Sequence, residues 1–497
     1  MSGAPTWPGR PGASWVLVLV FLLSLPAVTT RINASDEIQF FAWLHSWTFD
    51  RDVDFENEYR YFHDLGPGRD PGFVSTFLED TNEAGRRPNF TPIGSAVLWL
   101  PFYAGGHVVA GLSGVPTDGL SQPYISAVAY GSAFYGLLSV LLSAAIVRRL
   151  FGRSGIGPAV LVWVGTPLLF YMYVAPGFAH ANSAFAVALF LWTWLRIRDR
   201  WTIAGTVALG LSAALLPMVR EQDAFFVAGP AIDFARWAWL RVRRTTAAGP
   251  TRAAAWRRVA IVAAVGVVTA AAAYLPQLAS YQALNGHPGP TDKVARKMTW
   301  TSPHFLEVLL SPEHGLFLWT PLALFAAGGL VWLARRARRA VATVPAGPVQ
   351  QQGRPHPDLG WIASLMLLMG LLQVYVSGSV ESWTVAGAFG QRRFVALTPL
   401  LAVGLAALWW PWHGRGWRRW TGLALGILLV WWNLGLMAQF GLHLMDRQRL
   451  SIADNARATF IDLPRMAPSI VVRYLTDRGS FYGLPRDQWP ASPHGVD

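Results

Sequence analysis

Cysteine is absent from this chain of 497 residues, so no disulfide, thiolate metal site or cysteine nucleophile contributes to its fold or chemistry. Lysine is nearly absent as well. Lys293 and Lys297 are the only two, which leaves 41 − 2 = 39 basic residues as arginine. Charge of both signs is scarce, at 14% against about 25% in an ordinary soluble domain. That scarcity excludes a water-soluble globule with a conventional surface. No tandem repeat is visible, and the only biased run is the Ala/Arg-rich stretch near 235–258. The formal net charge of +13 would suggest nucleic acid in a soluble protein. Here the excess sits in short loops between apolar segments, where it sets orientation in a bilayer, and no nucleic-acid partner is expected.

Apolar runs are what the chain has instead. Hydrophobic residues make up 53% and tryptophan alone numbers 25. Runs of about 18–25 residues, each able to cross a hydrocarbon core of about 30 Å, fall at 15–29, 92–112, 123–147, 157–175, 178–195, 201–218, 222–240, 259–280, 316–334, 360–377, 394–411 and 420–440. The expected fold class is an all-α integral membrane protein with about 11 to 13 transmembrane helices. Arg10 alone is a thin basic region for a signal peptide, and many spans follow, so residues 1–29 read as an uncleaved first helix.

Arginines then set the topology. Basic loops at Arg148/Arg149/Arg153, Arg196/Arg198/Arg200, Arg236 to Arg258, Arg335/Arg336/Arg338/Arg339 and Arg415/Arg418/Arg419 are each separated by two apolar helices. All five can face the cytoplasm, which puts the acidic loop 31–91, the loops at 175–181, 217–223, 281–315 and 378–393, and the tail from 441 outside. One conflict remains. Between loop 31–91 and the Arg148 loop there are two apolar segments where the orientation rule requires an odd number of crossings, so 92–112 is partly re-entrant or a span is miscounted. The expected division is a membrane domain over 1–440 and a small, partly irregular extracytoplasmic tail over 441–497, rich in proline. The absence of cysteine is compatible with a bacterial inner membrane.

Functional candidates gather on the outer side. Asp36 and Glu37 follow the first span, in the first turn of a helix that Ser35 can cap and whose positive end favours anions. Phe40, Trp43, Leu44 and Trp47 recur at helical spacing, so residues 36–48 are expected along the membrane surface, holding both carboxylates at headgroup height. An ordinary capped helix with solvated acids would show the same spacing. Asp50, Asp52, Asp54, Glu56 and Glu58 alternate with other residues, as an extended segment binding a cation or sugar hydroxyls would, or as a solvated loop would.

Basic partners come from other loops. Arg220 and Glu221 join two apolar helices, where charge must be paired or wet. Lys293, Arg296 and Lys297 share a helical face suited to a phosphate, or to lipid headgroups. Arg392 and Arg393 stand at a helix start on the side that the orientation rule disfavours, which points to an anionic ligand or to an internal carboxylate, and Glu381 shares their loop. His180 opens a helix facing the same compartment, and His314 follows Ser311-Pro312-Glu313; neither has metal-ligand spacing.

A first helix, an immediate Asp-Glu pair and a long acidic loop resemble the polytopic GT-C glycosyltransferases. The branch they resemble is that of the protein O-mannosyltransferases and lipid A aminoarabinose transferases. Pro92-Ile93-Gly94, Leu98-Trp99-Leu100-Pro101-Phe102, Arg148-Arg149-Leu150-Phe151-Gly152, Ser311-Pro312-Glu313-His314-Gly315-Leu316-Phe317 and Gly390-Gln391-Arg392-Arg393-Phe394 are similar too, and the resemblance runs from residue 15 to about 440. It implies a GT-C fold, a polyprenyl-phosphate sugar donor, and a general-base role for Asp36 with Glu37 beside it. The family often places a Lys shortly before the proline that opens the second helix, on the donor phosphate; here Asn89 stands in that stretch and the nearest cations are Arg86 and Arg87.

The chemistry so implied is transfer of a sugar, with inversion, to a cell-envelope acceptor that is a glycan, a lipid or a protein. Asp36 would deprotonate the acceptor hydroxyl, while Arg220, Lys293, Arg296, Lys297, Arg392 and Arg393 are candidates for the departing phosphate. Asp54 and Glu56 are candidates for acceptor or metal contact; a divalent cation, Mg or Mn, is compatible with the reaction without being required. The alternative class is a transporter or flippase for a lipid-linked saccharide, which should carry charges midway along helices and often an inverted repeat. A weaker reading is a ligase or polymerase with a longer lipid-linked glycan.

Overall fold

The computed structural model describes residues 12–243, 251–340, 356–409, 416–477 and 481. Within them the chain is all-helical apart from one isolated bridge between Met298 and Val380. The principal helices are α1 (Gly12–Ser24), α2 (Ser35–His45), α3 (Glu56–Leu65), α4 (Gly94–Ser113), α5 (Gln122–Phe151), α6 (Ile156–Gly165), α7 (Leu168–Tyr173) and α8 (His180–Ile197). They continue with α9 (Ile203–Val219), α10 (Ala228–Arg243), α11 (Arg252–Asn285), α12 (Pro321–Ala340), α13 (Leu359–Ser379), α14 (Thr398–Trp409), α15 (Gly416–Gly441) and α16 (Leu463–Thr476).

Among the described residues five helices are long and apolar enough to cross a membrane: α4, α5, α11, α13 and the Trp420–Gly441 part of α15. Only 11% of the apolar window of α11 is buried inside the protein, and Val267 and Val268 stand 69% and 64% exposed. An apolar wall of that extent is untenable in water and suits lipid. The protein is a multi-pass membrane protein.

Charged residues tie the helix ends into two opposite layers. At one end Arg149 bonds the carbonyl of Leu195, Arg198 pairs with Asp233 and Asp358, and Arg258 reaches the carbonyl of Trp201. At the other end lie Asp36, His180, Arg220, Tyr281 and Arg392. α8 runs from His180 in one layer to the Arg198 end in the other, α9 returns to Arg220, and α11 runs from Arg258 to Tyr281.

The apolar α4 starts beside the Asp36 layer. Its first residue, Gly94, packs so closely on Met218 and Val219 that a Cβ would lie 2.4 Å from the Met218 carbonyl carbon, beside Arg220. From there α4 runs antiparallel beside α5, with Trp99 Nε1 donating to Ser132 Oγ at 2.9 Å, Gly106 against Pro123 and Tyr124, and the Tyr103 hydroxyl, midway along it, donating to the Gly119 carbonyl.

Two expectations are corrected. The run 157–175 is two helices, because Pro167 lacks an N–H and forces Thr166 out of helical geometry (φ −135°, ψ 168°). The freed carbonyls of Val164 and Thr166 accept from Asn433 of α15, at 2.9 and 3.2 Å. The run 222–240 opens with a 3-10 stretch, Glu221–Val227, before α10. The tail is helical through Thr476 and returns along α15, held by Gln439, Asn455 and Thr459. Arg415, residues 244–250 of the Ala/Arg-rich loop and the tail from 482 lie outside the described residues.

Candidate functional site

Helix α2 starts the site. The cap is not the Ser35 hydroxyl: Ala34 occupies the N-cap, and Glu37 reaches back so that its Oε2 accepts the N–H groups of Asn33 (2.7 Å) and Ala34 (3.1 Å). That bond pair turns Glu37 away from the cavity described below and leaves Asp36 projecting into it. Gly177 rests against Glu37, where a Cβ would meet Oε1 at 2.9 Å. Burial pushes the Glu37 carboxyl up to about 7, with the Asp36 charge adding to it and the backbone bonds opposing.

The helix itself does not lie on the membrane surface as its tryptophans suggested. Residues 37–45 are all buried, with Phe40 edge-on to Trp99 and Trp43 Nε1 donating to the Thr91 carbonyl at 3.0 Å. α3 and α4 cover the stripe that was expected to face lipid.

Asp36 faces a cavity of about 790 Å³ between the helix ends. Arg392 Nη1 lies 2.8 Å from Asp36 Oδ2 and its guanidinium stands over the Phe178 ring at 5.2 Å. Arg220 donates to His180 Nδ1, so that nitrogen is the acceptor and the ring proton sits on Nε2. Arg393 donates to the Ser382 carbonyl and hydroxyl at 3.0 and 3.1 Å, while its Nε is buried with no hydrogen-bond partner. Gln222 bonds the Arg393 carbonyl at 2.9 Å and is held in turn by Gln373, so the three arginines sit on one polar frame.

Three guanidiniums and two carboxylates, Asp36 and Glu221, thus line the cavity, with the buried Asp223 near Arg220. The guanidinium of Arg393 is pushed down to about 9 by burial and by the charges of Arg220 and Arg392. Such a group stands ready to receive an anion. Glu221 lies at the same wall, accepting from Tyr281, and Phe225, Tyr274, Leu278 and Trp300 make the remaining surface apolar.

Of the residues singled out from the sequence, Asp36, His180, Arg220, Glu221, Arg392 and Arg393 line this cavity. Lys293 pairs with Asp80, and Arg296 with Asp292 on the exterior; neither they nor Lys297 line it. Glu381 is exposed, its N–H on the Lys297 carbonyl. His314 is wholly buried and stacked on Trp319 at 4.6 Å. The acidic run 50–58 is not extended: it is a turn leading into α3, with Asp54 capping Glu56 N and Glu56 paired with Arg60 and Arg87. Asn89 bonds the Gln39 carbonyl, and Arg86 the Ala283 carbonyl, so the stretch before Pro92 is structural. Gln222, Gln373 and Tyr281 escaped notice because uncharged polar residues in apolar runs carry no spacing signal.

No protein-family model and no curated protein matches the sequence. Among solved structures the chain is similar to the Archaeoglobus fulgidus oligosaccharyltransferase in its apo form, at 13% identity and a TM-score of 0.42. The match covers 99% of this chain and 62% of that one, so the chain spans less than two thirds of that protein's length. A superposition at this level fixes neither topology nor chemistry.

Proposed function

We propose that the protein is a membrane glycosyltransferase of GT-C type that moves a sugar from a polyprenyl-phosphate donor to a cell-envelope acceptor. The observation that carries this reading is the pairing of Asp36 with Arg392, beside Arg220 and Arg393, at the mouth of a cavity walled by apolar side chains. A lipid-linked anion needs cations for its phosphate, and a wall that tolerates both sugar and prenyl chain. Transfer needs in addition one carboxylate that can take a proton.

The ion pair also supplies a sequence of events. Without donor, Arg392 occupies Asp36. A donor phosphate competes for Arg392, Arg220 and Arg393, and Asp36 is released as its partner turns to the phosphate. The freed carboxylate takes the proton of the acceptor hydroxyl as that oxygen attacks the anomeric carbon. The bond to the phosphate oxygen breaks with inversion, and the lipid phosphate leaves with the electron pair, stabilised by the three guanidiniums. Glu37 acts one step removed, by fixing the first turn of α2.

The positive-inside rule favours the Asp36 layer on the extracytoplasmic side of a bacterial plasma membrane. Because the chain has no cysteine, a single cysteine introduced at position 36 or 381 reports sidedness without background. Labelling of intact cells by an impermeant maleimide is expected, and labelling only after lysis would reverse the orientation. Enzyme and flippase are separated in proteoliposomes holding a labelled polyprenyl-phosphate sugar. Acceptor-dependent release of polyprenyl phosphate is expected; movement of intact donor across the bilayer without its consumption would establish the transporter.

A further inference from the structure

A second cluster of titratable groups lies at the far end of α2, away from the cavity. There the helix runs into a π-helical turn, Ser46–Asp50, closed by Arg51 in the left-handed region at φ 61°. The wider turn carries Asp50 back to the side of the helix occupied by His45, five positions earlier, which ordinary α-helical register would not do. α3 brings Glu58 to the same point. His45 Nδ1 then lies 2.7 Å from Glu58 Oε1 and 3.2 Å from Asp50 Oδ2.

The other ring nitrogen decides what this arrangement means. Nε2 lies 3.0 Å from the carbonyl oxygen of Asp118, which can only accept, so Nε2 carries a proton. In a neutral ring Nδ1 is therefore a lone pair held against two carboxylates, an arrangement that repels unless a proton or a metal ion sits between them. Stacking on Phe49, at 5.3 Å and 6°, blocks the ring from turning away. Glu58 is wholly buried, and its Oε2 has no hydrogen-bond partner. Asp50 is exposed and opens the cluster to solvent.

We propose that His45 Nδ1, Asp50 and Glu58 bind one divalent transition-metal ion of the zinc type. The three donor atoms lie within 4.8 Å of one another, and metal–ligand bonds of about 2.0–2.2 Å put neighbouring ligands about 3 Å apart. One imidazole nitrogen with two carboxylates suits zinc better than the all-oxygen shells of calcium or magnesium. The Nε2–H bond to a backbone carbonyl is the usual outer contact that fixes a metal-ligating histidine. The ion joins α2, α3 and the 114–121 turn, and so clamps the helix whose opposite end presents Asp36. It stands apart from the reacting groups, and its role is structural.

Full-length protein, freed of any affinity tag and stripped with EDTA in detergent, is titrated with zinc sulfate by calorimetry and by thermal unfolding. One equivalent bound and a raised Tm are expected in the wild type. Asp50→Asn, at an exposed position, is expected to keep the metal-free Tm and to weaken zinc binding at least about tenfold. Equal zinc binding by wild type and Asp50→Asn would overturn the site. So would a stripped protein whose Tm follows pH and ignores zinc, because the ring then holds a second proton in place of a metal.

Discussion

The two charged layers of this bundle bury arginine in opposite ways. In the layer opposite the cavity, Arg198 is 4% exposed at its side chain and completely engaged: Asp233 at 2.9 Å, Asp358 at 3.1 Å, with Trp194 and Trp361 adding their indole N–H groups to Asp233. Charges balance and donors are used. In the Asp36 layer Arg393 keeps an unpartnered Nε beside a cavity. A network with its donors used holds helices together; a spare buried donor at a cavity is free to meet a ligand. Reading both simply as buried salt bridges would miss that difference.

Mutations should expose the contrast. The largest effect is expected from Arg392→Gln or Arg220→Gln, which remove a charge at the departing phosphate and should lower turnover by about 10²–10³-fold. Because each relieves repulsion among guanidiniums, the Tm in detergent should change little. A large fall in Tm with turnover intact would make these arginines structural. Asp233→Asn should do the reverse. It strips Arg198 of its main partner and should cost about 3–5 kcal/mol in chemical denaturation, while the turnover of molecules that remain folded is kept.

A pH effect of similar size should appear at Glu37. Its carboxyl is raised by burial from 4.5 to about 7, so the folded state binds that proton more tightly than the unfolded chain. The stabilisation is complete below about pH 4.5, falls as pH rises toward 7, and amounts to about 3 kcal/mol over the interval. Glu37→Gln should flatten this part of the profile, as read by Tm against pH; an unchanged slope would assign it to other groups. Smallest is Gly177→Ala, which sets a Cβ 2.9 Å from Glu37 Oε1. A shift costing about 1–3 kcal/mol in Tm measurements is expected, with turnover reduced through the displaced first turn of α2.

Much of the fold was legible in the sequence, because apolar runs and arginine loops are the two strongest signals a membrane chain carries. The break at Thr166–Pro167 was legible in principle from the proline, but the run's hydrophobicity masked it. The packing of α4 was not, since composition does not say what a helix start touches; the contact of Gly94 with Met218 and Val219 shows only in the structure. At the site, Asp36 and Arg392 were named from opposite ends of the chain and meet at 2.8 Å. Glu37 was read as a partner of Asp36 in chemistry, and its bonds to Asn33 and Ala34 tie its carboxylate to the first turn of α2. Spacing could not tell these apart, because adjacent residues on a helix point about 100° away from each other and only the surroundings decide which direction is the cavity.

The most direct test of Asp36 as the base compares donor binding and turnover in Asp36→Asn. Binding should be retained or tightened, since Arg392 no longer has a carboxylate to hold it, while acceptor-dependent release of polyprenyl phosphate falls by about 10²–10⁴-fold. Folded Asp36→Asn protein that turns over as the wild type does would contradict that role.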